Sequence, residues 1–158
     1  METLDRSQLD DTVSGAQAGL VASLLSISKS VRALMGLRLA ELGLHPGQDE
    51  LLLVLKDGTP QPVSQIAERL NVRASTMSKM KDRLKEQQLL SESTDAIDAR
   101  NTWVQLTPSG QALVARIQAL HHSIHMELTG AVNGDAGDVG KATMQIEEVL
   151  ARRLRRIR

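Results

Sequence analysis

Apolar residues recur at helical spacing from Thr12 to Leu42: Val13, Leu20, Val21, Leu24, Ile27, Val31, Leu34, Met35, Leu39 and Leu42. This repeat predicts one long amphipathic helix, with Gly43 as its stop. His45-Pro46-Gly47 predicts the start of a second helix with Pro46 as its first residue. That helix carries Leu51, Leu52, Val54 and Leu55 and ends near Asp57-Gly58. Thr59-Pro60-Gln61-Pro62 reads as a stiff connector. A third helix over Val63 to Leu70 turns Ile66, Ala67 and Leu70 inward, and Asn71 tolerates the left-handed backbone of a tight turn. A fourth, from about Ala74 to Gln88, sets Met77, Met80 and Leu84 against an opposite stripe of Ser75, Thr76, Lys79 and Arg83.

The period then changes. Leu89 to Ser93 and Thr102 to Leu106 read as two short strands flanking a polar loop, Thr94 to Asn101. Thr107-Pro108-Ser109 opens a fifth helix, with a hydroxyl cap and Pro in first position, running to about Leu128. Gly130 to Gly134 breaks it, and Asn133 can cap a sixth helix from about Asp135 to Ile157. The latter keeps Val139, Ala142, Ile146, Val149, Leu150, Leu154 and Ile157 on one face. The expected fold is mainly α, in the α+β class.

Composition sharpens this picture in two ways. Phe and Tyr are absent and Trp103 is the one tryptophan, so the core must be aliphatic, which favours helices. Cysteine is absent too, which excludes disulfides, thiolate metal sites and thiol switches. No uninterrupted apolar run approaches the roughly 20 residues of a membrane span, and the acidic start METLDRSQLDD lacks a signal pattern. A cytoplasmic location with no membrane partner is expected.

Net charge is zero, yet its distribution is uneven. Between Arg73 and Gln88 five basic residues (Arg73, Lys79, Lys81, Arg83, Lys85) stand against Asp82 and Glu86, so the remainder is net acidic. A charge run alone reads as a solvated helix face. Here it lies on the second of two short helices followed by a β-hairpin, the order of a helix-turn-helix with a wing. Such a helix enters the major groove N-terminal end first. Ser75, Thr76 and Ser78 can exchange hydrogen bonds with base edges, Lys79 and Arg83 can reach phosphates or guanine, and Arg73 sits at the turn near the DNA backbone. A basic stripe on a neutral body suits selective binding.

VSQIAERLNVRASTMSKMKDRLKEQQLL followed by TDAIDARNTWVQLTPSG resembles the multiple-antibiotic-resistance regulator (MarR) family of winged-helix repressors, and the resemblance covers nearly the whole chain. Its most specific piece is Asp98-x-Arg100 ahead of Leu106-Thr107-x-x-Gly110. The resemblance implies that Arg100 enters the minor groove from the wing and that Asp98 supports the wing. A narrow minor groove favours an inserted guanidinium. Four positions depart from the family pattern. Gln88 replaces a helix-ending glycine, Glu92 a common arginine, Ala99 a frequent basic residue, and Arg73 a capping Ser or Thr.

One domain over 1–158 is expected, with a winged helix-turn-helix core over 46–106 and dimerisation helices over 12–45 and 107–158. Those flanking helices carry more apolar positions than the core can cover, and a two-fold homodimer buries the rest. A dimer of this kind reads a pseudo-palindromic operator in double-stranded DNA, with half-sites ~10 base pairs apart. The family likeness further implies repression relieved by a small-molecule effector bound between dimer helices and winged helix. No catalytic constellation and no cofactor are expected. Two alternatives stand beside this reading. His121 and His125, four apart on the fifth helix, have zinc-binding spacing, though they suit a polar patch as well because zinc wants three or four ligands. Winged helices also serve as protein-interaction modules. Arg152, Arg153, Arg155, Arg156 and Arg158 suit the negative end of the last helix. Met35, Met77, Met80, Met126 and Met144 are expected as core filling or a pliant pocket lining.

Overall fold

The computed structural model describes residues 6–94, 102–132 and 136–157, with side chains from Gly19 onward apart from residue 136. Six helices and three short strands follow in order: α1 (Arg6–Ala40), α2 (Gln48–Val54), β1 (Gln61–Pro62), α3 (Val63–Arg69), α4 (Ala74–Glu86), β2 (Leu90–Thr94), β3 (Thr102–Leu106), α5 (Pro108–Ala131) and α6 (Ala136–Ile157). The strands form one antiparallel sheet in the order β1-β3-β2. The predicted hairpin is present, with Leu90 opposite Leu106 and Glu92 opposite Val104.

Two expectations about local structure need correction. Gln61-Pro62 is a strand, not a connector, pairing with Val104 and Trp103. Two residues carry no readable alternation, and Pro62, which cannot donate to a ladder, is tolerated because the strand is an edge. Pro46 does not begin α2. It forms a turn with Gly47 (φ 90, ψ −22), closed by Gln48 N–H donating to the His45 carbonyl at 3.1 Å. The left-handed backbone at Gly47 suits the glycine position of a type II turn after proline.

The chain divides into two compact units, Met1–Val114 and Ala115–Arg158. In the first, the core is aliphatic as expected. Leu39, Leu44, Leu51, Leu52, Leu55, Ile66, Met77, Leu84, Leu90, Val104, Leu113 and Val114 are buried.

Three helices of this unit stop in the same way. At the end of α1, Leu44 N–H donates to the Leu39 carbonyl (2.9 Å) and Gly43 N–H to that of Ala40 (3.0 Å). Asn71 and Val72 repeat the pattern onto Glu68 and Ala67, and Gln88 and Leu89 onto Lys85 and Leu84. These are Schellman closures, which require a left-handed residue. Gly43 (φ 73) and Asn71 (φ 56) adopt it readily, whereas Gln88 (φ 58) does so at a cost. Gln88→Gly is therefore expected to stabilise the fold by about 1 kcal/mol after glycine's own entropy cost. Thermal unfolding should register a rise of roughly 2–4 °C.

The outer helices present apolar surface. On α1, Leu20, Val21, Leu25, Ile27, Val31 and Leu37 are exposed, and α6 exposes Val139, Met144, Val149, Leu150, Leu154 and Ile157. Met126 and Met144 are accordingly not core residues of the single chain, contrary to expectation; Met77 is, and Met35 and Met80 are half-buried. No uninterrupted apolar run of span length occurs, but one interrupted stretch qualifies by length and average composition. Gly19–Ala40 is long and apolar enough to cross a bilayer, with mean hydropathy 1.4, because Ser, Ala and Gly fill between its large apolar residues. Lys29 and Arg32 fall in its middle, where each would cost about 2.5–3.5 kcal/mol in lipid.

Candidate nucleic-acid interface

The sheet and α3 hold α4 by one side. Met77 and Leu84 are buried and Met80 is half-buried, so the opposite side faces outward. There Ser75, Lys79 and Arg83 form one row at four-residue spacing, with Thr76 and Ser78 beside it, all exposed. The Ser78 hydroxyl lies 3.4 Å from an Asp82 carboxylate oxygen. Among the described residues Arg73, Lys79 and Arg83 have no ion-pair partner. Asp98 and Arg100 lie outside the described residues, as does Ala99.

Helix α4 begins without a side-chain cap. Arg73 occupies the N-cap with extended backbone (φ −68, ψ 148), and the first turn has no acidic residue. The Arg73 carbonyl accepts from Thr76 N–H (2.9 Å) and Met77 N–H (3.0 Å). An exposed cation beside the positive end of a helix is unfavourable unless an anion joins them. The uncapped amides and the guanidinium together suit a phosphate.

Sequence reasoning missed one group. Glu92 on β2 reaches back to α4, where one carboxylate oxygen is 2.8 Å from Lys81 Nζ and the other 2.6 Å from Lys85 Nζ. Lys81 also meets Asp82 at 3.0 Å. Burial alone would lower the Lys81 pKa, but hydrogen bonds to Glu92 and Asp82, with their charges, outweigh it and hold the ammonium above its ordinary value. The same lysine contacts hold the Glu92 carboxyl below the ordinary range, against the opposing effect of burial. The only sequence signal was that Glu92 departs from the family pattern; pairing across strand and helix has no fixed spacing.

These shifts fix a pH dependence. Stability from Glu92 is present above the ordinary carboxylate pKa and is lost as pH falls through its lowered folded value. Stability from Lys81 is present below the ordinary lysine pKa and is lost as pH rises through its raised folded value. The ion pairs therefore leave stability flat around neutrality. In melting curves taken from neutral pH into the acid range, the parent chain should lose more stability than Glu92→Gln.

The strap between the hairpin and α5 is fixed by Thr107. Its N–H donates to the Leu89 carbonyl (3.1 Å), its hydroxyl donates to the Gln88 carbonyl (2.7 Å), and the Thr107 hydroxyl oxygen accepts from Gly110 N–H (3.1 Å). The predicted hydroxyl cap is thus present, and it ties α5 to the end of α4.

The histidine alternative gains no geometric support. His121 is half-buried, His122 and His125 have ring centroids 6.5 Å apart, and among the described residues no three metal-ligating side chains gather.

Residues 44–110 match the family model of the winged helix DNA-binding domain. The fold is similar to that of a mutant MarR from E. coli complexed with operator DNA, at 22% identity over 84% of this chain and 94% of that one, TM-score 0.71. It is also similar to an S. aureus MepR–DNA complex, at 21% identity over 84% and 96%, TM-score 0.70. The MarR family transcription regulator SP03579 aligns at 18% identity over 96% and 97%, TM-score 0.77. No curated protein matches the chain.

Proposed function

We propose that this chain, a winged-helix protein with the fold of the MarR-family regulators, is a homodimeric, non-enzymatic transcription regulator that reads a pseudo-palindromic operator. The observation that carries the reading is α4 itself. Its uncapped N-terminus, the cation at Arg73 and the exposed row Ser75–Lys79–Arg83 present donors and positive charge on one face. Backbone amides and Arg73 position the phosphates, and the row reaches base edges. Arg100 reads the minor groove from the wing, with Asp98 shaping the loop. DNA bound in the MarR and MepR neighbours supports the assignment.

Helices over 12–45 and 107–158 form the dimer in this reading, and the core over 46–106 carries the DNA contacts. A second copy covers the exposed leucines and valines of α1 and α6. Each exposed Leu or Val so covered contributes on the order of 1 kcal/mol. The regulator acts in the cytoplasm as a repressor. A small-molecule effector that prefers a dimer with mismatched reading-head spacing lowers operator affinity by linkage.

Sedimentation equilibrium combined with anisotropy titration of a labelled operator duplex tests this assembly. Twice the 17.2 kDa chain mass is expected in solution, with two chains per duplex at saturation. A stable lone chain that ignores duplex DNA would favour the protein-interaction alternative.

A further inference from the structure

We propose that Glu92 is an electrostatic brake on DNA affinity, holding Lys81 and Lys85 off the phosphate backbone so that sequence contacts decide where the protein stays. This rests on the DNA-binding reading of α4 and says how its strength is set.

Five cations lie between Arg73 and Gln88, but they are not equivalent. Arg73, Lys79 and Arg83 are exposed and without an ion-pair partner among the described residues. Lys81 and Lys85 sit on the flank of α4 facing the hairpin, and one carboxylate binds both, an oxygen to each. The Lys81 side chain is 13% exposed and that of Glu92 19%, so this part of the cluster is shielded from water. Glu92 also cannot drift, because its strand pairs with β3 and sets it opposite Val104.

Non-specific affinity depends on the number of phosphates neutralised, and each contact enters the salt dependence. Withdrawing two lysines lowers binding to every sequence alike and leaves base contacts untouched, so the ratio of specific to non-specific binding rises. A merely structural Glu92 would tie the hairpin to α4, and its loss would weaken DNA binding. The two roles predict opposite signs.

The test is anisotropy of a labelled random-sequence duplex with parent and Glu92→Gln over a range of KCl, with melting curves as the control for folding. The brake predicts that Glu92→Gln binds random duplex roughly tenfold more tightly at moderate salt, with a log K against log[salt] slope steeper by about 0.9 from the freed Lys85, since Asp82 at 3.0 Å still holds Lys81. Adding Lys81→Gln and Lys85→Gln to Glu92→Gln should reverse the gain. Unchanged or weaker binding by a folded Glu92→Gln overturns the proposal. If Glu92→Gln does not fold, Lys85→Gln in the parent decides. A held lysine leaves the slope unchanged, whereas a loss of about 0.9 shows that Lys85 already contacts phosphate and overturns the brake. Should the parent itself fail to bind any duplex, the DNA-binding reading falls and the brake with it. Retained binding with unaltered slopes removes the brake alone.

Discussion

Lys79→Ala combined with Arg83→Ala is expected to weaken operator binding by roughly a hundredfold, about 3 kcal/mol. Both side chains stand on the outer row of α4 and neither has an ion-pair partner among the described residues, so the fold does not use them. If one contacts phosphate and the other a guanine edge, the double variant loses both a non-specific and a specific share. Its salt dependence should become shallower by about 1, and discrimination between operator and random duplex should shrink. Arg100→Ala added to the pair deepens the loss through the minor groove. Sizing and melting should be unchanged in both variants. A double variant that holds the operator as tightly as the parent would move the reading head off α4.

Gly110→Ala should be the most damaging of the glycine-to-alanine substitutions among the described residues. A Cβ at this position would overlap the Leu89 carbonyl oxygen and press within 3.1 Å of Leu106 Cδ2. The carbonyl cannot retreat freely, since it accepts from Thr107 N–H. Moving α5 outward instead would strain the Thr107 hydroxyl bond to Gly110 N–H. Overpacking of this kind costs about 3 kcal/mol or more when backbone is the obstacle. Urea unfolding should show a large drop in midpoint and, at working temperature, loss of DNA binding through loss of structure. Gly140→Ala on α6 is the contrasting case: nothing lies within 4 Å of an added Cβ. Better helix propensity there should stabilise the chain by about 1 kcal/mol. Equal melting of parent and Gly110→Ala would show that the strap is looser than this geometry implies.

Much of this architecture is legible in the sequence. The inward Met77 and Leu84 and outward Lys79 and Arg83 follow from helical period alone. Thr107-Pro108 marked the start of α5 through the chemistry of a helix N-terminus. Asn71 marked the turn because it tolerates left-handed backbone. Other features left no periodic trace. Gln61-Pro62 is too short to alternate, and it becomes a strand only because β3 lies beside it. Pro46 reads as a helix start until Gly47 is seen to adopt positive φ. The Glu92 pairs join residues seven and eleven positions away from different elements, which only the folded chain brings together. Gly110 stood inside the family pattern, but its physical reason, the Leu89 carbonyl, required three dimensions. Met126 and Met144 were misplaced because helical period identifies an apolar face without saying whether that chain or another covers it.

Selection of bound fragments from random duplexes bears most directly on the central claim, that two copies of α4 read DNA in register. The recovered motif should be two-fold symmetric, with half-sites about one helical turn (~10 base pairs) apart, and Lys79→Ala with Arg83→Ala should recover none. Fragments without symmetry, or no enrichment over the starting pool, would contradict it.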